Sequence, residues 1–113
     1  MNVYDCANEL AKAIKESREL QKLQEAKDIL AKNADAKKMV DDFIKMSQEV
    51  EFAKMQGQEP DVLKQNKLQE LYTLLSLNND AQTYMNAFMR FQMMMGDVNK
   101  TIMEPITRVV GEQ

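Results

Sequence analysis

The chain has 113 residues, of which 29% are charged, with only three glycines and two prolines. So few turn-forming residues exclude a β-sandwich, and good helix formers dominate, so we expect one all-α domain over residues 1–113. The net charge of −3, with both signs interspersed, argues against nucleic-acid binding through a basic face. No apolar run is long enough to span a membrane, and a single cysteine fits a reducing compartment, so we expect a cytoplasmic protein.

The first predicted helix begins near Val3 and ends at a break at Glu16–Ser17, where the serine hydroxyl can cap a second helix. The second helix runs to about Lys32. The connection that follows contains Asn33, which suits a left-handed position after a helix, and Asp35, which suits the N-cap of the third helix.

The third predicted helix carries an apolar face at heptad spacing, formed by Ala36, Met39, Phe43, Met46, Val50 and Ala53. Ile44 and Phe52 lie off this face and indicate a second contact surface. The turn from Gly57 to Asp61 ends this helix, and Pro60 favours the first turn of a fourth helix. That helix spans about Asp61 to Leu77 and buries Leu68, Leu71 and Leu75.

The fifth predicted helix is the longest and covers residues 81–102 after an Asn-Asn-Asp cap. Its inner face alternates steps of three and four residues: Ala81, Tyr84, Phe88, Phe91, Met95, Val98 and Ile102. Met89 and Met93 fall away from that face, and Gly96 lies beside them. A helix that is apolar well round its circumference needs more than one neighbour. Pro105 predicts a kink or a restart of the helix, followed by a last short turn.

Short connections between amphipathic helices indicate that neighbours pack antiparallel. We therefore expect an antiparallel bundle of about five helices around a long central C-terminal helix. The second apolar surface of that helix would contact another helix or another chain, and we expect a dimer.

Residues able to carry chemistry are scarce. The chain has no histidine, so it offers no Ser–His or Cys–His pair and no imidazole metal ligand. Cys6 lies on the apolar face of the first helix and is expected to be a small buried hydrophobic residue. The closest carboxylate groupings fall on faces rich in lysine, namely Glu49 with Glu51, Asp41 with Asp42, and Glu9 with Glu16. We expect no catalytic residue, no metal site and no cofactor.

Several segments resemble the YheA-like branch of the YlbF/YmcA family of helical proteins from Gram-positive bacteria. The most distinctive segment is residues 99–105, Asn-Lys-Thr-Ile-Met-Glu-Pro, and shorter ones are residues 3–5, 17–19, 35–39 and 55–59. The resemblance implies an all-helical, often dimeric protein without known catalytic residues. It also implies relatives that act as non-enzymatic partners in a complex influencing RNA processing, competence, sporulation and biofilm formation. Some relatives carry cysteines linked to an iron–sulfur cluster, whereas this chain has Cys6 alone.

The leading hypothesis is a non-enzymatic interaction module that forms a homodimer and offers an apolar helical face to a protein partner. The predicted interface consists of Ile44, Phe52, Met89, Met93 and Gly96. The alternative is an RNA-associated accessory protein whose basic residues are Lys12, Lys15, Arg18 and Lys22, diluted by neighbouring glutamates. An enzyme that uses carboxylates alone is a more distant third reading.

Overall fold

The computed structural model describes residues 2–59 and 61–111. They form five helices: α1 Val3–Lys15, α2 Arg18–Ala31, α3 Ala34–Met55, α4 Val62–Ser76 and α5 Asn79–Val110. No strand occurs among the described residues, so the predicted all-α class with five helices is confirmed. The expectation for Pro60 lies outside the described residues.

The break between α1 and α2 lies where the sequence predicts it. Glu16 ends α1, and the Ser17 hydroxyl accepts a hydrogen bond from the backbone amide of Leu20 at 3.2 Å. That bond satisfies one of the amides that the first turn of a helix leaves without an internal partner. Ser17 is therefore the residue at which the chain turns from one helix into the next.

The junction between α2 and α3 differs from the prediction. Asn33 has extended backbone angles, φ −121° and ψ 93°, and its side-chain oxygen accepts from the amide of Ala36 at 3.1 Å. The predictions of a left-handed Asn33 and of an Asp35 N-cap are therefore wrong. Asn33 caps α3 because its short amide reaches the third amide of the helix, and Asp35 falls in the first turn, where the helix dipole favours a carboxylate.

Gly57 ends α3 as predicted. Its φ of +76° is a left-handed conformation that glycine adopts without steric cost. The amide of Gly57 donates to the carbonyl of Lys54, and the amide of Gln58 donates to that of Ala53, both at 3.0 Å. These two bonds form a Schellman motif, which satisfies carbonyls at the end of the helix.

Helix α5 runs through Pro105, so the predicted restart there is wrong. The helix continues past the proline. The side chain of Arg108 pairs with that of Glu104 at 3.2 Å, and the amide of Gly111 donates to the carbonyl of Thr107 at 2.7 Å. Proline removes one amide donor, and the carbonyl of Thr101 that it leaves without a helical partner belongs to an exposed residue and can bond to water.

The contacts within the chain divide it into two compact units. The central unit is Ala26–Met85, and the terminal unit comprises the residues up to Glu25 together with those from Asn86 onward. The prediction of one domain over residues 1–113 stays a prediction.

The central unit has a core of its own. A cluster of buried side chains forms this core: Leu30, Ala36, Val40, Leu75 and Ala81. Helices α3 and α4 run antiparallel, because the rings of Phe43 and Tyr72 lie 5.9 Å apart and Lys64 lies 3.8 Å from Glu49. Val40 of α3 is almost completely buried.

Side chains join the starts of α3 and α5, both in the central unit. The Asn33 amide donates to the Asp80 carboxylate at 3.2 Å, and Asn78 caps α5 by accepting from the amide of Ala81 at 3.0 Å. Ala36 and Ala81, which follow these caps, have no exposed surface. Small residues at both starts permit close packing beside the capping groups.

The terminal unit has a different character. None of its described residues is fully buried. Its inward-facing apolar residues are only half-buried: Cys6, Leu10 and Ile14 on α1, and Phe88, Phe91, Met95 and Val98 on α5. The expectation that Cys6 is buried is thus met only in part.

Candidate partner interface

The exposed methionines of α5 lie where the sequence places them. Met89 is 57% exposed and Met93 is 70% exposed. Four residues are close to one helical turn, so the two side chains are neighbours on one side of the helix. Their contact with a partner stays a prediction.

Gly96 lies two turns beyond Met89 on the same side of α5. A β-carbon placed on Gly96 would meet no heavy atom within 4 Å beyond its own stretch of helix. The described part of this chain therefore supplies no helix that approaches this glycine closely, and approach by a helix of a partner stays a prediction. The surface of α5 is open at Gly96.

The structure extends this surface beyond the residues that the sequence indicated. From Met89, alternating steps of four and three residues define what we call the α5 seam: Met89, Met93, Gly96, Lys100, Met103, Thr107 and Val110. Met103 is 50% exposed, and Val110 is also exposed. Sequence reasoning missed this part of the surface because it ended the helix at Ile102 and broke it at Pro105. The alternation of four- and three-residue steps between apolar residues, followed past Ile102, was the signal that could have indicated this part of the surface.

A second apolar surface continues the inner face of α5 towards its end. This face is half-buried as far as Val98, but Ile102, Ile106 and Val109 are exposed. The expectation that Ile102 is part of the core is wrong. The described residues cover this face of the helix no further than Val98.

The two predicted interface residues on α3 belong to the central unit. Ile44 is half-buried and packs against the core of that unit, so its apolar character is explained within the chain. Phe52 is exposed near the end of α3, close in sequence to the exposed Met55. A role of either residue in partner binding stays a prediction.

The charged groups form surface pairs. Lys22 of the predicted basic cluster lies 3.7 Å from Glu25, which neutralises part of that cluster, and nucleic-acid binding stays a prediction. Lys37 donates to Asp41 at 2.8 Å, and this hydrogen bond, together with the negative charge of the carboxylate, raises the pKa of Lys37 above its ordinary value. Such a pair on an exposed helix face is typical of a solvated surface.

The described part of the chain shows no arrangement of ligands for a metal. Within residues 2–59 and 61–111, no three His, Cys, Asp or Glu side chains come together as a metal site. An open depression of about 430 Å³ lies where α3 and α5 begin, and its lining includes Lys32, Asn33 and Asp80. The side chains of Asn33 and Asp80 bond to each other there. In the same described ranges, no helix has the length and apolar character needed to cross a membrane.

Comparison with known proteins identifies the family. Residues 3–107 match the family described as "Control of competence regulator ComK, YlbF/YmcA". The chain belongs to this family. It is 40% identical over 105 residues to a UPF0342 protein of Caldicellulosiruptor saccharolyticus. The matched stretch covers 93% of this chain and 88% of the relative. It is 28% identical over 108 residues to a UPF0342 protein of Streptococcus pyogenes serotype M5, covering 96% of each.

A solved structure supports the fold. The protein of unknown function DUF964 from Bacillus stearothermophilus superimposes with a TM-score of 0.78, covering 95% of this chain and 94% of that one. The sequence identity of 18% limits this likeness to the fold. The predicted resemblance to the YheA-like, UPF0342 group is confirmed by the relatives that carry that name.

Proposed function

We propose that this protein is a non-enzymatic interaction module of the cytoplasm, which self-associates and offers an apolar helical face to a protein partner in a regulatory complex. The observation that carries the proposal is the exposed apolar surface of the terminal unit. None of the described residues of that unit is fully buried, and Met89, Met93 and Met103 expose half or more of their surface on one helix.

The physical argument rests on what such a surface costs in water. Covering an apolar side chain of this size contributes about 1.5–3 kcal/mol, and several must act together to offset the entropy lost on association. The α5 seam supplies several such side chains along one rigid helix. Methionine suits this role because its flexible thioether adapts to the shape of a partner.

The family assignment supports the same proposal. The matching family is described by control of a competence regulator, and a protein can exert such control by binding. A chain without histidine has few means of acid–base or nucleophilic chemistry near neutral pH, which favours binding over catalysis.

Replacing Met89 and Met93 together by lysine tests self-association. The two ammonium groups would have to be desolvated within the interface, so the double variant should be monomeric while the wild-type protein is dimeric. Sedimentation gives the mass, and circular dichroism on the same sample gives the helix content. The expected result is a monomer with its helices retained.

A matched control adds the same charge elsewhere on α5. Thr83→Lys with Thr101→Lys changes two exposed residues that lie on another side of the helix, and it should leave the dimer intact. Dissociation by both double variants would indicate a general effect of charge and would contradict the proposed surface. An unfolded methionine variant would show that these side chains are needed within the chain, and an unchanged mass would show that they lie outside any interface.

A further inference from the structure

Three consecutive methionines of α5 differ in their exposure to water. Met93 is 70% exposed, whereas Met94 and Met95 are half-buried. Successive residues of a helix point about 100° apart, so Met93 alone of the three faces away from the inner face of α5. Met89, one turn before Met93, is 57% exposed and lies on the same side. Two thioether side chains are therefore neighbours on a side of the helix that water reaches.

The sulfur of an exposed methionine can react with hydrogen peroxide. A sulfur lone pair attacks one peroxide oxygen, so that an S–O bond forms while the O–O bond breaks. Sulfur gives up two electrons, and the peroxide takes them. The departing hydroxide accepts the proton of the transferred oxygen, and the products are one methionine sulfoxide and one water. Because the oxidant must reach the sulfur, exposed methionines react before covered ones.

Oxidation changes the surface more than the helix. A methionine sulfoxide is polar, whereas the thioether is apolar. On the exposed side of α5, the new oxygen can bond to water, so the helix has no need to open around it. Two sulfoxides one turn apart would make one continuous polar patch where Met89 and Met93 now present an apolar one.

We propose that Met89 and Met93 form a peroxide-sensitive modification site, at which oxidation of both sulfurs turns this side of α5 from apolar to polar while the helix stays folded. The reaction itself requires only this chain and hydrogen peroxide. Its consequence for binding rests on the proposed function, because a polar α5 seam would bind an apolar partner surface less tightly. Methionine sulfoxide reductases reverse the oxidation, so the site has two interconvertible states.

The time course of oxidation at each methionine tests the site. The whole protein in dilute solution is treated with hydrogen peroxide, digested at intervals and mapped by peptide mass spectrometry. Met89 and Met93 should each gain one oxygen before Met94 and Met95 do. Met55, 80% exposed at the end of α3 and outside the seam, is the internal reference and should react about as fast as Met93.

Two results of this mapping would overturn the proposal. Equal rates at Met93, Met94 and Met95 would show that the fold does not select between them. Oxidation of Met55 with protection of Met89 and Met93 would show that the pair is covered in the protein in solution.

A non-oxidisable variant tests the change in polarity. Met89→Leu with Met93→Leu keeps the surface apolar but removes both sulfurs. It is compared with the parent chain in a Cys6→Ser background, since a thiol also reacts with peroxide. Binding of a fluorescent dye that recognises exposed apolar surface is measured before and after oxidation, with circular dichroism on the same samples.

The parent chain should lose dye binding on oxidation and regain it after treatment with the reductases, whereas the leucine variant should lose clearly less. The helix content of both should stay constant. Equal loss of dye binding in the two proteins would assign the change to other methionines and overturn the proposal, as would loss of helix in the oxidised parent chain.

Neither measurement requires a partner. A protein that is monomeric at every concentration would contradict the proposed self-association and leave the oxidation site standing. Unselective oxidation would remove the site and leave the proposed self-association standing.

Discussion

The central and terminal units are built from the same kind of amphipathic helix, yet they differ in what they bury. The central unit encloses leucine, valine and alanine side chains, among them Val40 and Leu75, which are almost completely covered. The terminal unit covers none of its described residues to that extent. An amphipathic pattern thus predicts that a face will be covered without stating whether its own chain covers it.

The difference has a local cause in the connections of the central unit. The turn at Gly57 brings α3 back alongside α4, and Asn33 with Asp80 joins the starts of α3 and α5. These links hold apolar faces together at both ends of the α3–α4 pair. We infer that the central unit is covered within its own chain and that a second chain covers the α5 seam of the terminal unit.

The largest expected effect comes from the core of the central unit. Leu75 is 2% exposed, and Leu75→Ala should cost about 2–5 kcal/mol in the free energy of unfolding, since it removes buried methyl groups and leaves a cavity. The adjacent Leu74 is 52% exposed, so Leu74→Ala should change stability by about 0.5 kcal/mol or less. Urea unfolding of both variants at one protein concentration measures the difference. Equal costs would remove the distinction between buried and exposed faces of α4.

Phe88 tests the terminal unit in the same way. The sequence places it in the core, but the structure leaves it half-buried. Phe88→Ala should therefore cost less than the about 3–5 kcal/mol expected for a fully buried ring. Unfolding in dilute solution, where the protein is monomeric, gives this value. A loss as large as that of Leu75→Ala would show that the terminal unit has a dry core of its own.

A smaller effect compares equivalent helix caps in the two units. Asn33 caps α3 and also donates to Asp80, whereas Asn2 caps α1 by accepting from the amide of Tyr4 at 2.7 Å. Asn33→Ala should cost about 1–2 kcal/mol, near the upper end for a cap, because a second hydrogen bond is lost. Asn2→Ala, at the exposed start of the chain, should cost about 0.5 kcal/mol. Thermal unfolding of both variants tests this order, and a larger loss for Asn2→Ala would reverse the proposed ranking of the two units.

The sequence predicts those parts of the fold that depend on local chemistry. The Ser17 break, the end of α3 at Gly57 and the cap of α5 at Asn78 each follow from the hydrogen bonds that one side chain or one glycine allows. The orientation of Met89 and Met93 away from the inner face follows from helical geometry alone.

Other features depend on a balance between competing interactions, which the local sequence does not decide. Asn33 suits both ends of a helix, and its bond to Asp80, 47 residues away in sequence, favours the cap. Pro105 opposes a helix, but the neighbouring turns remain closed around it. The exposure of Ile102 depends on how far other elements extend along α5, which periodicity does not encode.

Hydrogen exchange at two protein concentrations tests most directly whether a second chain covers the α5 seam of the terminal unit. Amides of α3 and α4 should exchange at the same rates in dilute and concentrated protein, since their protection comes from a core within the chain. Amides of α5 from Met89 to Val110 should exchange more slowly in concentrated protein, where the dimer covers the seam. Protection of this segment that is equal to that of α3 and independent of concentration would contradict the account.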